Sequence, residues 1–290
     1  MKLASLKILR AALEGGYAIP AFNINSSDWI QAGLLAAQKE QSPLILASSD
    51  RLSDYLGGFQ VIRKMVEAYY EALEISIPLV LHLDHGGSLE RCMAAIDAGY
   101  SSVMIDGSKL PIEENIELTS KVVAYARPRS VSVEAEVGCV GGSEDGLNSG
   151  IAYADTEECV SLVKETKVDA LAAALGSVHG IYQGEPCLSF EKMEEIGSRI
   201  DIPLVLHGAS GIPEEQIQRC IKLRHSKINV NTECNQTWLA QLKHGLSMHP
   251  NTHEPRLVME PAREALCEYM RSRIREFGSN GRAKEVEKYV

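Results

Sequence analysis

Short runs of apolar, β-prone residues recur along the chain at 17–23, 43–48, 78–83, 102–106, 131–137, 170–175, 203–206 and 227–230. Most are continuously apolar, as parallel strands buried on both faces require. Helical patterns fill the gaps. Ile112, Ile116, Thr119, Val123 and Ala126 share one helix face. Asp155 followed by Glu158 reads as a capping box ahead of Cys159, Leu162 and Val163, and Ser27 opens a helix carrying Ile30, Leu34 and Ala37. Strands and helices alternating over about 250 residues predict a closed (β/α)8 barrel. No linker or low-complexity stretch interrupts it, so residues 1–290 read as a single domain, with a helical extension at the C-terminus. An open doubly wound sheet is the alternative, weakened by the lack of a GxGxxG after the first strand.

In such a barrel, chemistry gathers at the C-terminal ends of the strands. The third run leads into Asp84 and His85 in VLHLDHGG (80–87), and the fourth into Asp106. The fifth carries Glu134 and Glu136, and the sixth continues through ALGSVHG (174–180) to His179. The seventh ends at His207 in LVLHG (204–208), and the eighth gives Asn229, Asn231 and Thr232 in INVNTE (228–233). Apolar strands want burial, whereas Asp and His want water, a partner or a metal. A lone strand-end histidine is ordinarily a satisfied structural residue. His85, His179 and His207 stand at equivalent positions, each before a glycine, and three neutral imidazoles around an open position form the donor set of a catalytic zinc. His82 reads as a buried or supporting imidazole, and His225, His244, His249 and His253 as surface or helix residues.

The glycine-rich turns GSVHG (176–180) and HGASG (207–211) offer backbone N–H groups, which with the Ser210 and Thr232 hydroxyls suit a phosphate near the last strands. The loop GCVGGSEDG (138–146) is acidic and rich in glycine. An acidic loop is ordinarily just solvated, but beside a metal and a phosphate Glu144, with Asp145 next to it, becomes a candidate acid/base able to swing over the mouth.

Composition narrows the classes. A net charge of −10 argues against nucleic acid and anionic membrane surfaces as partners. No apolar run is long enough for a membrane span. The start, MKLASLKILRAALEGGYA, lacks a signal-peptide core. Seven cysteines without a CxxC pair predict reduced thiols in a cytoplasm.

A zinc ion, a phosphate cradle, a fixed carboxylate and a loop carboxylate together fit a retro-aldol cleavage, with Asp84 placed to take the hydroxyl proton and Glu144 to protonate the carbon left behind. HLDHG, VEAEVGCVGG, ALGSVHG, LHGASGIP and KINVNTE together resemble the class II, zinc-dependent ketose-phosphate aldolases over nearly the whole chain. The resemblance implies a homodimer or homotetramer of barrels. It implies Zn²⁺ held by His85, His179 and His207, with Glu136 able to hold the metal when it moves. Asp84 becomes the acid/base on the cleaved hydroxyl, Glu144 the proton shuttle to the dihydroxyacetone phosphate carbon, and Asn229 a partner of the enediolate. Gly180, Gly208, Ser210 and Thr232 become the phosphate cradle, where Na⁺ or K⁺ assists.

The sequence departs from the fructose-bisphosphate pattern: in GIYQGEP (180–186), Gln183 replaces a lysine of GPYKGEP. HGASG points to the tagatose branch, but Asn231 stands where that branch has Ala. QKEQSP, ASSDRLSDYLGGF, MIDGS, YQGEP, HGASGIP and NTEC resemble the branch that splits 6-phospho-5-dehydro-2-deoxy-D-gluconate into dihydroxyacetone phosphate and malonate semialdehyde. The alternative is fructose- or tagatose-bisphosphate cleavage giving glyceraldehyde 3-phosphate. Arg51, just after the second strand, is expected at the rim of the mouth, where a guanidinium grips the carboxylate of the deoxy-gluconate substrate, with Ser49 as a further substrate- or phosphate-binding residue, and Arg256 in HEPR (253–256) matches a family position that helps bind the distal group. The competing reading of Arg51 is a surface pair with Asp54. Other enzyme classes are weaker: a Schiff-base aldolase would draw on Lys109 or Lys227, and a hydrolase of the amidohydrolase type would need HxH on the first strand, where AFNIN has none. A non-catalytic sugar-phosphate sensor would have no need of both Asp84 and Glu144.

Overall fold

The structure, a computed structural model, describes residues 1–144, 147–150, 152–182 and 184–289, with the backbone alone at 143, 144 and 147–149. Eight parallel strands close into a barrel in which chain neighbours pair. They are β1 (Ile19–Asn23), β2 (Leu44–Ser49), β3 (Leu79–Gly86), β4 (Ser102–Ile105), β5 (Ser132–Val137), β6 (Ala170–Ala173), β7 (Leu204–Leu206) and β8 (His225–Val230). Helices lie between successive strands, so the expected (β/α)8 barrel is the fold.

Capping residues place the helix starts. Ser26 accepts from the Asp28 amide and so starts Ser27–Glu40, while Asp155 accepts from Glu157 and Glu158 and starts Thr156–Thr166. The C-terminal extension consists of Thr232–Met248 and Arg256–Glu276. It docks on Ser27–Glu40, where Trp238 stacks at a tilt on Trp29 (5.2 Å) and donates to Asp28 (3.2 Å). None of the seven cysteines forms a disulfide. Among the described residues no helix is long and apolar enough to cross a membrane.

Alternation along the strands divides two cores. Leu79, Leu81, Leu83, Val133, Ala135 and Val137 face the helices, in the large outer core. Ile19, Ala21, Ile45, Val80, Ala170, Ala172 and Val205 face inward, beneath a plug that includes Leu6, Ile8 and Leu9. Each such Leu, Ile or Val contributes roughly 1.5–3 kcal/mol on burial, and each alanine less. Two residues further along the strands, the same inward face turns polar: His82 and Asp84 follow Val80, Glu136 follows Glu134, Asn229 follows Lys227, and Asn23 follows Ala21. The barrel interior therefore runs from an apolar floor to an ionic middle and a polar mouth.

Three local readings change. β3 runs on to Gly86, so Asp84 and His85 belong to the strand. Strict alternation would send them to opposite faces, but a register shift between Leu83 and Gly86 and a positive φ of 51° at His85 let both face the mouth. β6 stops at Ala173, and His179 sits instead in a two-residue strand, Val178–His179, paired in parallel with Gly141–Gly142. His225 is neither surface nor helical. It opens β8, is buried, donates through Nδ1 to the Cys220 carbonyl (3.0 Å), and burial lowers its pKa to about 4.

Candidate active site

His85, His179 and His207 converge although they come from three different segments. One ligand atom of each lies within 4.8 Å of the others, and the ring centroids are 4.8–5.9 Å apart. Neighbouring carboxylates orient two of the rings. His85 donates from Nδ1 to Asp106 (2.9 Å), and Asp106 also accepts from the Ser108 hydroxyl (2.6 Å). His207 donates from Nε2 to Glu134 (3.0 Å). This leaves His85 Nε2 and His207 Nδ1 buried with no hydrogen bond, and Glu136 Oε2 is equally unsatisfied 3.3 Å from His207 Nδ1. Two orphaned imidazole nitrogens in the converging histidine group, with an orphaned carboxylate oxygen beside one of them, are costly unless a cation completes them. An imidazole and carboxylate donor set of this kind fits zinc, with Glu136 as a further oxygen donor.

The electrostatics agree. Burial pushes His85 toward its neutral form, yet Asp84, Asp106 and Glu136 raise it well above its ordinary value. Burial acts on His207 in the same way, but Glu134 and Glu136 raise it to about 9. The surrounding negative charge thus asks for positive charge at this point. Burial would raise Asp84, but His85, His207 and Lys227 hold its carboxylate well below the usual range. It therefore stays ionised, accepting from Asn23 (2.9 Å) and Asn229 (3.2 Å).

Two recesses flank the histidines. The smaller is lined by Gly180, Gly208, Ser210, Asn229, Asn231 and Thr232, together with Asn23 and His179. It gathers the two glycine turns and the N-terminal, positive end of the helix Thr232–Met248. Asn231 is braced there by the side-chain amides of Asn25 (3.1 Å) and Asn235 (3.2 Å). The larger, about 320 Å³, lies on the other side of His85 and His179, with Ser49, Arg51 and Lys109 in its wall. Asp54, the alternative partner for Arg51, accepts from Arg91 (3.1 Å). Arg256 is in neither recess: it is exposed at the start of its helix and pairs with Glu260 one turn on (2.9 Å). The Glu144 side chain, Asp145 and Gln183 lie outside the described residues. Glu144 itself ends the short strand Gly141–Glu144.

Lys227 is sealed inside the barrel with its ammonium on Glu134 (2.8 and 3.0 Å), below the mouth where a Schiff base would have to form. Sequence reasoning gave no role to Asn23 or to the Glu134–Lys227 pair. Strand parity was the available signal, since Asn23 follows the inward Ala21 and Glu134 precedes Glu136 by two.

A barrel with an ionised buried acid beside a three-imidazole cation site has the layout of a metal-dependent carbon–carbon lyase. The chain belongs to the family of class II fructose-bisphosphate aldolases, whose pattern matches residues 4–282. It is 57% identical over 289 residues, 99% of each chain, to the 6-phospho-5-dehydro-2-deoxy-D-gluconate aldolase of Bacillus licheniformis. To the fructose-bisphosphate aldolase of Geobacillus stearothermophilus it is 51% identical over 287 residues, 98% of this chain and all of that one. Among solved structures, the YdjI aldolase from Escherichia coli K12 superposes with a TM-score of 0.84 at 31% identity, covering 97% of this chain and 100% of that one.

Proposed function

We propose that the chain is a zinc-dependent aldolase that reversibly cleaves 6-phospho-5-dehydro-2-deoxy-D-gluconate to dihydroxyacetone phosphate and malonate semialdehyde. The observation that carries this reading is the pair of recesses on either side of the histidines, one rich in backbone and hydroxyl donors and one with Arg51 and Lys109 in its wall. A substrate with a phosphate at one end and a carboxylate at the other matches both. Full-length similarity to a relative bearing that enzyme's name supports it.

His85, His179 and His207 would hold a zinc ion, which when bound would supply Lewis-acid polarisation of the ketone worth several kcal/mol, to order of magnitude. The chain's own groups do the rest. The Gly180 and Gly208 turns, Ser210 and Thr232 hold the phosphate and fix the ketone against the histidines, with Asn231 at the rim and Na⁺ or K⁺ as an added counter-charge. Asp84 takes the proton of the hydroxyl two carbons from the ketone as the carbon–carbon bond breaks. Asn229, already bonded to Asp84, orients the ketone fragment, and Glu144 delivers a proton to its new terminal carbon. Glu136 offers a second resting position for the metal. Ser49 and Arg51 face the carboxylate. A homodimer or homotetramer is the assembly proposed with it.

Two expected results test this. His85→Ala, His179→Ala and His207→Ala each lose bound zinc and turnover; a variant with full zinc content and normal rate removes that histidine from the ligand set. In an assay coupled to dihydroxyacetone phosphate, the keto-acid is cleaved faster than fructose or tagatose bisphosphate, and Arg51→Met lowers kcat/KM for the keto-acid by about tenfold or more while leaving dihydroxyacetone phosphate binding unchanged. A wild-type preference for fructose bisphosphate overturns the substrate but not the zinc chemistry.

A further inference from the structure

His179 poses a positioning problem, since β6 ends at Ala173 and no barrel strand carries the imidazole to the mouth. Pairing of Val178–His179 with Gly141–Gly142 is one restraint. The second is Tyr182. Its hydroxyl accepts from the Val178 amide (3.0 Å) and donates to the Gly208 carbonyl (2.9 Å). Val178 precedes His179, and Gly208 follows His207. One hydroxyl therefore ties the backbone beside two of the three imidazoles, and the same two turns supply Gly180 and Gly208 to the smaller recess.

The turns approach closely at this tie. A Cβ at Gly208 would sit 2.4 Å from the Val178 carbonyl oxygen, and Gly208 holds a φ of +63°. The ring itself packs on the outer core. Burial pushes the phenol up to about 12, so its proton stays in place to donate. The phenol's one donor and one acceptor role are both spent, so sliding either turn past the other breaks a bond.

We infer that Tyr182 is a positioning residue that locks the His179 and His207 turns in register, preorganising the zinc ligands and the anion recess together. The zinc half of this inference rests on the reading above; the anion half does not. Tyr182→Phe keeps the ring and deletes the tie. In the full-length chain we expect zinc affinity, measured by competition with a chelator, to fall about 10–100-fold, as losing a ligand's supporting bond does. We expect metal-free protein to bind inorganic phosphate several-fold more weakly, KM to rise more than kcat falls, and the melting temperature of the metal-free protein to hold. Unchanged zinc and phosphate affinities overturn the inference. So does a melting temperature that falls in step with both affinities, which makes Tyr182 merely structural. If wild type binds phosphate but no zinc, the zinc reading fails, and the phosphate arm still decides whether Tyr182 holds the turns.

Discussion

Asp84→Ala is expected to slow carbon–carbon cleavage by about 10²–10⁴-fold while zinc stays bound, the loss typical of removing a positioned general base. The residue is almost completely buried at the mouth end of β3, where the bulge at His85 turns it and the neighbouring imidazole to the same side. Burial alone would protonate it. The imidazoles of His85 and His207, the Lys227 ammonium and two side-chain amides instead keep it ionised, which a base requires. The orientation of the rings rests on other carboxylates: His85 leans on Asp106 and His207 on Glu134. Metal content and cleavage rate should therefore separate. Zinc analysis alongside single-turnover cleavage makes the comparison, and an Asp84→Ala enzyme with near-normal cleavage would take Asp84 out of the mechanism.

Much of the mouth was legible because polar residues interrupt apolar runs at the same place in successive strands. Asp84, His85, His207 and Asn229 could be placed from that interruption alone. What stayed hidden follows from geometry that parity does not carry. The bulge that brings Asp84 and His85 to one face leaves no mark in the sequence, since His85 adopts a positive φ without being glycine. His179 looks like a strand-end residue in ALGSVHG, but its position depends on a loop-to-loop strand and on Tyr182, which are tertiary contacts. His225 reads as superficial because its strand begins before the apolar run does. The run 131–137 alternates as a strand with one wet face would. In a closed barrel that polar face points inward, and parity alone does not tell Glu136 at the mouth from Glu134, which is wholly buried one step below it.

The largest effect on stability is expected from that hidden pair. Lys227 and Glu134 are fully buried in the middle of the barrel, and Lys227 also meets His82 Nε2 at 3.3 Å. Burial, with Lys227 adjacent, lowers His82 to about 3, so its ring is neutral, and Nδ1 bonds the Ser102 hydroxyl at 2.8 Å. Lys227→Met removes the ammonium and leaves the Glu134 carboxylate buried against one His207 N–H. Breaking a buried ion pair from one side costs about 3–5 kcal/mol, because the abandoned charge keeps its desolvation penalty. For a chain of this size that corresponds to a melting temperature lower by roughly 5–8 °C. Zinc affinity should fall with it, since a Glu134 that protonates to relieve its burial accepts from His207 without the full charge of a carboxylate. Lys227→Met combined with Glu134→Gln removes both charges, and the amide oxygen of the new side chain can still accept from His207. The double variant should therefore regain most of the lost stability and be more stable than the lysine variant alone, a coupling that denaturant unfolding of the two single variants, the double variant and wild type measures. If Lys227→Met melts with wild type, or if the double variant is less stable than the sum of the singles, the pair is not the keystone of the interior and His207 is held in place by something else.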